Sequence, residues 1–220
     1  MKTYRWGILG AGAIVRRWIR GARQTPGLEI AAIGSRNPAH AAAAAAELGI
    51  PRASDYEGIV SDPSIDLCYI AVPHPFHREL AELAMNHGKH VLVEKPAAVT
   101  AADWEAMTAC AQKNGVFLME AVWTRLFPAM DEVRRLFRPE ALGPIRAVSC
   151  AFSYYLPAQA AGSRNLRPEL GGGGLLDVGV YCLHLCDALF GTAPEELTGL
   201  ASINTDGNRF GVDEQAMLLA

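Results

Sequence analysis

Tyr4-Arg-Trp-Gly-Ile-Leu9-Gly10-Ala-Gly12-Ala-Ile-Val15 joins a short apolar run to two glycines spaced one residue apart and to the start of a helical pattern. Tyr4 to Leu9 predicts a strand. Beyond the glycines, Ile14, Trp18 and Ala22 recur at helical spacing, with Arg16, Arg17, Arg20 and Arg23 mostly on other faces. Strand, G-x-G, helix is the setting in which a dinucleotide pyrophosphate lies on a helix N-terminus. Gly10 permits the tight turn and Gly12 lets the backbone approach the phosphates, so Gly10, Gly12, Ala13 and Ile14 are candidate cofactor contacts. Val15 stands where the fingerprint has a third glycine, which predicts a slightly displaced helix with the phosphate site intact. A plain strand-to-helix turn is the alternative for so short a motif.

The next strand, Leu28 to Gly34, ends on Ser35-Arg36, where an NAD-binding unit offers an acid to the ribose hydroxyl. Glu29 lies at the wrong end of that strand. A hydroxyl and a guanidinium suit a 2′-phosphate, so the expected cofactor is NADP in preference to NAD. In the alternative, Arg36 only stacks on the adenine of either one. Pro38 to Leu48 is a helix by propensity, with an alanine run that packs on the sheet.

A third strand, Asp66 to Val72, leads into Pro73-His74-Pro75-Phe76-His77. No acid or thiolate joins the two histidines at ligand spacing, so no metal is expected. Pro73 and His77 are placed instead beside the nicotinamide end, with helix capping the plainer role for one histidine. The fourth strand, His90-Val-Leu-Val, stops on Glu94-Lys95-Pro96, and Pro96 cannot donate to a ladder. Ligands of open α/β sheets sit at the carboxyl ends of strands, which makes Glu94 and Lys95 candidates. A solvated ion pair is the bland alternative.

A helix over Ala101–Asn114 and a strand over Val116–Met119 complete residues 1–121 as a doubly wound parallel Rossmann sheet. Right-handed crossovers would set Gly10, Pro73 and Lys95 on one rim.

From Val122 the pattern changes to an α+β domain over 122–220, with a mostly antiparallel and here incomplete sheet. Trp123-Thr-Arg125-Leu-Phe127-Pro128 leads into a helix reaching Phe137, and Ile145 to Tyr155 predicts a long strand. A polar loop over 157–170 and four glycines at 171–174 precede another helix, the glycines suiting a helix start close to a ligand. On that helix Asp177, Tyr181 and His184 share one stripe and most other positions through Phe190 are apolar, which predicts a buried helix facing a polar cleft. Strand-like runs cover Glu196–Ile203 and Gln215–Ala220. The second stops without a turn or cap, as a fragment would, with a naturally short end as the alternative.

The 220 residues are 50% hydrophobic and 20% charged, with a formal net charge of −3, which gives no case for nucleic acid or an anionic membrane surface. Five scattered cysteines suggest reduced thiols in a cytoplasmic protein. No signal-peptide pattern and no run of bilayer-spanning length is apparent in the sequence.

Taken together, Gly10-Ala-Gly12, Pro73 with His77, Glu94-Lys95-Pro96, Glu120-Ala-Val-Trp-Thr-Arg125 and Gly172-Gly-Gly-Leu-Leu-Asp177-Val-Gly-Val-Tyr181 resemble the Gfo/Idh/MocA oxidoreductases. Tyrosine at 181, where many members have histidine, resembles the branch of dihydrodiol, D-xylose and glucose–fructose enzymes. His74 replaces a common asparagine and His184 a common acid.

The resemblance implies hydride transfer between NADP and a hydroxyl or hemiacetal carbon of a sugar or cyclic trans-diol. It implies Tyr181 as the group exchanging the hydroxyl proton. Lys95 would hold the substrate oxygen and lower the tyrosine's pKa by its charge, and Asp177 would orient substrate or tyrosine. Trp123 and Arg125 enter as cofactor contacts by the same resemblance, and a homodimer through the second sheet is implied. A dinucleotide-binding regulator without turnover, or an inactive fragment, are the alternatives.

Overall fold

The computed structural model describes residues 2–157, 162–203 and 211–220. The chain separates into two compact units, Met1–Ala121 and Val122–Ala220.

In the first unit six parallel strands run β1 Tyr4–Leu9, β2 Leu28–Gly34, β3 Ala53–Ser54, β4 Leu67–Ile70, β5 His90–Glu94 and β6 Leu118–Ala121. Their order across the sheet is β3-β2-β1-β4-β5-β6. The helices between them are α1 Ala13–Ala22, α2 Pro38–Leu48, α3 Tyr56–Val60, α4 His77–Asn86 and α5 Ala101–Asn114. Strand β3 and helix α3 are absent from the sequence reading: two residues of strand and five of helix are too short to show a period.

Alternate strand residues face opposite layers, so two cores form. Leu9, Cys68 and Ile70 belong to one, with α4 and α5, while Ile8 and Tyr69 belong to the other, with α1 and α2. Each large aliphatic side chain withdrawn from water in these layers contributes about 1.5–3 kcal/mol. Helix α1 buries Val15, Ile19 and Ala22, with Trp18 packed against the same core; of the expected face Ile14, Trp18 and Ala22, only Ile14 lies outside it. Ile14 is 40% exposed. The alanine run of α2 lies on the sheet as expected, with Ala41, Ala44 and Ala45 buried.

The sheet register sets Leu9 beside Ile70 and Ile70 beside Val93. Gly10, Ala71 and Glu94 therefore leave the sheet at one level, from three adjacent strands.

The second unit contains α6 Pro128–Leu136, α7 Pro139–Leu142, a π-helical turn over Leu175–Gly179 continuing into α8 Val180–Phe190, and an antiparallel pair, β7 Thr198–Ile203 with β8 Asp213–Leu219. The strand expected over Ile145–Tyr155 does not form, since no ladder pairs with residues 145–155 among the described residues and a strand exists only through its partner. Helix α8 is not buried around its girth either; none of its residues is buried, and Leu183 and Phe190 are exposed.

Part of the loop over 157–170, residues 158–161, lies outside the described residues; the rest folds as two short 3-10 turns, Arg164–Leu166 and Pro168–Leu170. Pro168–Phe190 is, by length and composition alone, one helical run apolar enough to cross a membrane, which corrects the expectation that no such run exists. It bends at its glycines and carries a hydrogen-bonded acid, Asp177.

Candidate functional site

A cavity of about 840 Å³ opens in the first unit at the carboxyl ends of β1 and β2. Five of the residues picked from the sequence line it: Gly10, Gly12, Ser35, Arg36 and Pro73. Gly10 has φ +121°, and a Cβ built there would stand 2.2 Å from the Ala71 carbonyl oxygen, so only glycine fits. At Gly12 an added Cβ would make ordinary contact, 3.8 Å from the same oxygen. Gly12 is thus not demanded by its protein neighbours.

Arg36 lies over the Phe76 ring, its guanidinium carbon 4.5 Å from the centroid. Tyr56 is bonded to the Arg36 main chain; burial raises its pKa, while that hydrogen bond and the Arg36 charge oppose the rise. The Ser35 hydroxyl accepts from the Asn37 amide at 3.3 Å, and Asn37 in turn caps α2 through the Ala39 amide at 2.9 Å. This capping holds the Ser35-Arg36 step where β2 ends and α2 starts.

His40 also lines the cavity, a residue the sequence reading passed over. So do Arg16 and Glu47, joined by two hydrogen bonds of 2.7 and 2.5 Å. That contact raises the Arg16 pKa and lowers that of Glu47. Asp55 is on the rim too, but its carboxylate caps α3 through the Gly58 amide at 2.8 Å.

Ala13, Ile14, His77, Glu94 and Lys95 are not among the residues lining this cavity. His77 is fully buried, with Nδ1 2.9 Å from the Pro96 carbonyl oxygen and Nε2 2.9 Å from that of Val72. Its ring thus ties two strand ends together. Glu94 accepts the Tyr69 hydroxyl at 2.5 Å, and the Lys95–Pro96 peptide is cis.

In the second unit the Trp123 indole N–H donates to the Tyr181 hydroxyl oxygen at 2.7 Å. The Trp123 and Phe152 rings flank the phenol, with centroids at 6.3 and 5.5 Å. Arg125 donates to Asp187 at 2.5 Å and reaches His184 Nδ1 at 3.4 Å. Trp123 and Arg125 thus hold the helix that carries Tyr181.

Asp177 is buried and accepts from Tyr154 at 2.6 Å, Asn165 at 3.0 Å and Arg164 at 3.3 Å. Burial, then the bond to Asp177 and its charge, push the Tyr154 pKa up. The glycine run closes around Asp213: a Cβ at Gly173 would be 2.0 Å from its carboxylate, which accepts the Leu175 amide at 2.6 Å.

Residues 4–122 match the family model described as an oxidoreductase family with an NAD-binding Rossmann fold, and residues 130–220 match the Gfo/Idh/MocA C-terminal domain. A trans-1,2-dihydrobenzene-1,2-diol dehydrogenase from Xenopus tropicalis is 35% identical over 222 residues, covering 98% of this chain and 64% of its own length. The chain thus spans somewhat under two thirds of that relative.

An aldose–aldose oxidoreductase structure from Caulobacter crescentus, complexed with glycerol, superposes with TM-score 0.84 at 30% identity, covering 99% of this chain and 67% of that one. A 3-ketoreductase from Actinomadura kijaniata, in complex with TDP-benzene and NADP, does so with TM-score 0.79 at 26% identity, over 90% and 60%.

Proposed function

Because the chain belongs to the Gfo/Idh/MocA oxidoreductase family, we propose that it is an NADP-dependent dehydrogenase or reductase acting on a CH–OH carbon of a cyclic trans-diol or a sugar. The observation that carries the reading is the cavity: a glycine that admits no side chain forms one edge, and Ser35 with Arg36 forms another. A pyrophosphate fits the first and a 2′-phosphate the second. The dihydrodiol dehydrogenase relatives and the NADP complex of the ketoreductase support the same assignment.

When bound, the nicotinamide supplies or takes the hydride. Gly10, Gly12, Ser35 and Arg36 bind and orient the dinucleotide, and Pro73 borders its nicotinamide end. Lys95 holds the substrate oxygen, and Tyr181 gives or takes the proton of the hydroxyl as the carbon is reduced or oxidised. Trp123 fixes the phenol by donating to its oxygen, an arrangement compatible with both phenol and phenolate. Asp177 orients the start of the Tyr181 helix through Tyr154 and Asn165. The protein is read as cytoplasmic and dimeric.

The test is turnover of trans-dihydrodiols, pentoses and hexoses with NADP+ and NAD+, followed by absorbance of the reduced cofactor. Turnover with NADP+ is expected, and Arg36→Ala should weaken NADPH binding about ten- to a hundred-fold, the value of a charge-assisted contact. Equal affinity for NADPH and NADH would restrict Arg36 to adenine stacking. NADPH binding without turnover of any compound would make the protein a binding member of the same fold.

A further inference from the structure

Side chains from several elements tie down the three residues Lys95-Pro96-Ala97. The Lys95 amide donates to Glu94 Oε2 at 3.3 Å, and the Ala97 amide donates to Glu120 Oε1 at 2.8 Å. The Pro96 carbonyl meets His77 Nδ1 at 2.9 Å, and the other ring nitrogen reaches the Val72 carbonyl. The Tyr69 hydroxyl donates to the remaining oxygen of Glu94 at 2.5 Å. Tyr69 and His77 are both fully buried.

Burying a phenol hydroxyl and an imidazole costs free energy unless each is bonded, and a leucine or phenylalanine could fill the same volume without that cost. Here the polar groups come from four elements: β4, the start of α4, the end of β5, and β6. All converge on one turn, so their net effect is to specify its conformation.

Both ring nitrogens of His77 lie 2.9 Å from a strand-end carbonyl oxygen, and whichever nitrogen carries the proton donates to one of them. Tyr69 is also stacked on Trp18 of α1 at 4.4 Å and 18°, so its hydroxyl cannot swing away from Glu94 without unstacking the ring.

We propose that Tyr69, His77 and Glu120 are positioning residues that fix the turn Lys95-Pro96-Ala97 and thereby the direction in which Lys95 is presented to substrate. This rests on the reading of Lys95 as the group that holds the substrate oxygen. The three act through the turn; Lys95 alone among these groups meets the substrate.

The experiment compares the unmodified protein with Tyr69→Phe, Glu120→Met and the conservative Glu120→Gln, which keeps an acceptor for the Ala97 amide. Four quantities are read: kcat, substrate KM, NADPH affinity by fluorescence titration, and amide hydrogen exchange of the segment spanning residues 91–98. Tyr69→Phe and Glu120→Met should lower kcat about ten- to a hundred-fold with NADPH affinity held within about twofold. Exchange in that segment should rise about tenfold while β2 stays protected. Glu120→Gln should recover most of the kcat.

Unchanged exchange in both disruptive variants overturns the clamp. Faster exchange with unchanged kcat overturns its role in positioning Lys95, as does a kcat loss that follows NADPH affinity. Absence of turnover by the unmodified protein overturns the oxidoreductase reading instead, and the exchange data still decide whether these side chains hold the turn.

Discussion

The two units of this chain are built by different means. Residues 1–121 pack two apolar layers on a parallel sheet, and its buried polar groups lie at the sheet's ends, His77 at the carboxyl edge and Lys89 at the amino edge. In residues 122–220 the buried apolar side chains among those described are Val122 and Val212. Order there comes from side-chain hydrogen bonds: Asp177 with Tyr154 and Asn165, Asp213 with the Leu175 amide, Trp123 with Tyr181, and Arg125 with Asp187. An apolar core is insensitive to the loss of one polar contact. A unit held by a few carboxylates, Asp177 buried and Asp213 half-buried, depends on each of them, because a main-chain amide left without its acceptor retains the cost of its burial.

The largest effect expected from that contrast is in catalysis without loss of fold. Tyr181→Phe keeps the ring between Trp123 and Phe152 and removes the hydroxyl. It should lower kcat by about 10²–10⁴-fold with NADPH affinity unchanged, measured by steady-state kinetics and fluorescence titration. Retention of more than about a tenth of the activity would turn attention to His184.

Next in size is a pair of glycines. Gly10→Ala meets both a positive φ and the Ala71 carbonyl and should destabilise the first unit by at least about 3 kcal/mol in urea unfolding, with NADPH binding lost. Gly12→Ala should cost less than about 1 kcal/mol in stability and act on cofactor affinity alone. Equal losses at the two positions would mean that the Gly10 turn is less rigid than its contacts indicate.

A smaller effect is expected at Asp213. Asp213→Ala leaves the Leu175 amide without its acceptor and should destabilise the second unit by about 1–3 kcal/mol, seen as early proteolysis within residues 122–220 while the first unit stays protected. Uniform loss of protection would join the two units into one cooperative block.

The smallest effect is a slope. Tyr69 has its pKa driven far above the usual tyrosine range by burial, then by the charge of Glu94 and the bond to it. The unfolded chain's tyrosine ionises near pH 10 while the folded one stays protonated, so this contribution is complete below about pH 10. Above that pH it falls by about 1.4 kcal/mol per unit toward the folded pKa. Urea unfolding between neutral and alkaline pH should show this decline, and Tyr69→Phe should flatten it by one proton.

What the sequence disclosed follows the same division. Strands β1 and β2 and the order of helices were readable because burial on both faces imposes apolar runs, and Gly10 because a backbone constraint leaves one residue type. Within the first unit, the expected grouping of Gly10, Pro73 and Lys95 survives as neighbouring strand ends, although Lys95 lies off the cavity wall.

The contacts that the sequence did not disclose concern residues whose partners lie far away in sequence. His77 meets Pro96, Asp177 meets Tyr154, and the glycine run meets Asp213, 38 residues beyond the amide that it caps. Periodicity carries no trace of such pairs. The strand expected at Ile145–Tyr155 shows the same limit from the other side, for its composition fits a strand but no neighbour supplies the ladder.

The stack of Trp18 on Tyr69, with Trp6 tilted 51° against Trp18 at 5.4 Å, places two indole chromophores close enough for their excited states to couple. Such a pair gives near-ultraviolet circular dichroism a signed couplet that exists only while β1 and α1 remain packed. Trp123, beside the Tyr181 phenol and partly open to water, reports through the wavelength of its emission instead. The chain therefore carries a native chiral probe of its apolar half and, once the emission of Trp6, Trp18 and Trp104 is subtracted with a Trp123→Phe variant, a native fluorescent probe of its hydrogen-bonded half.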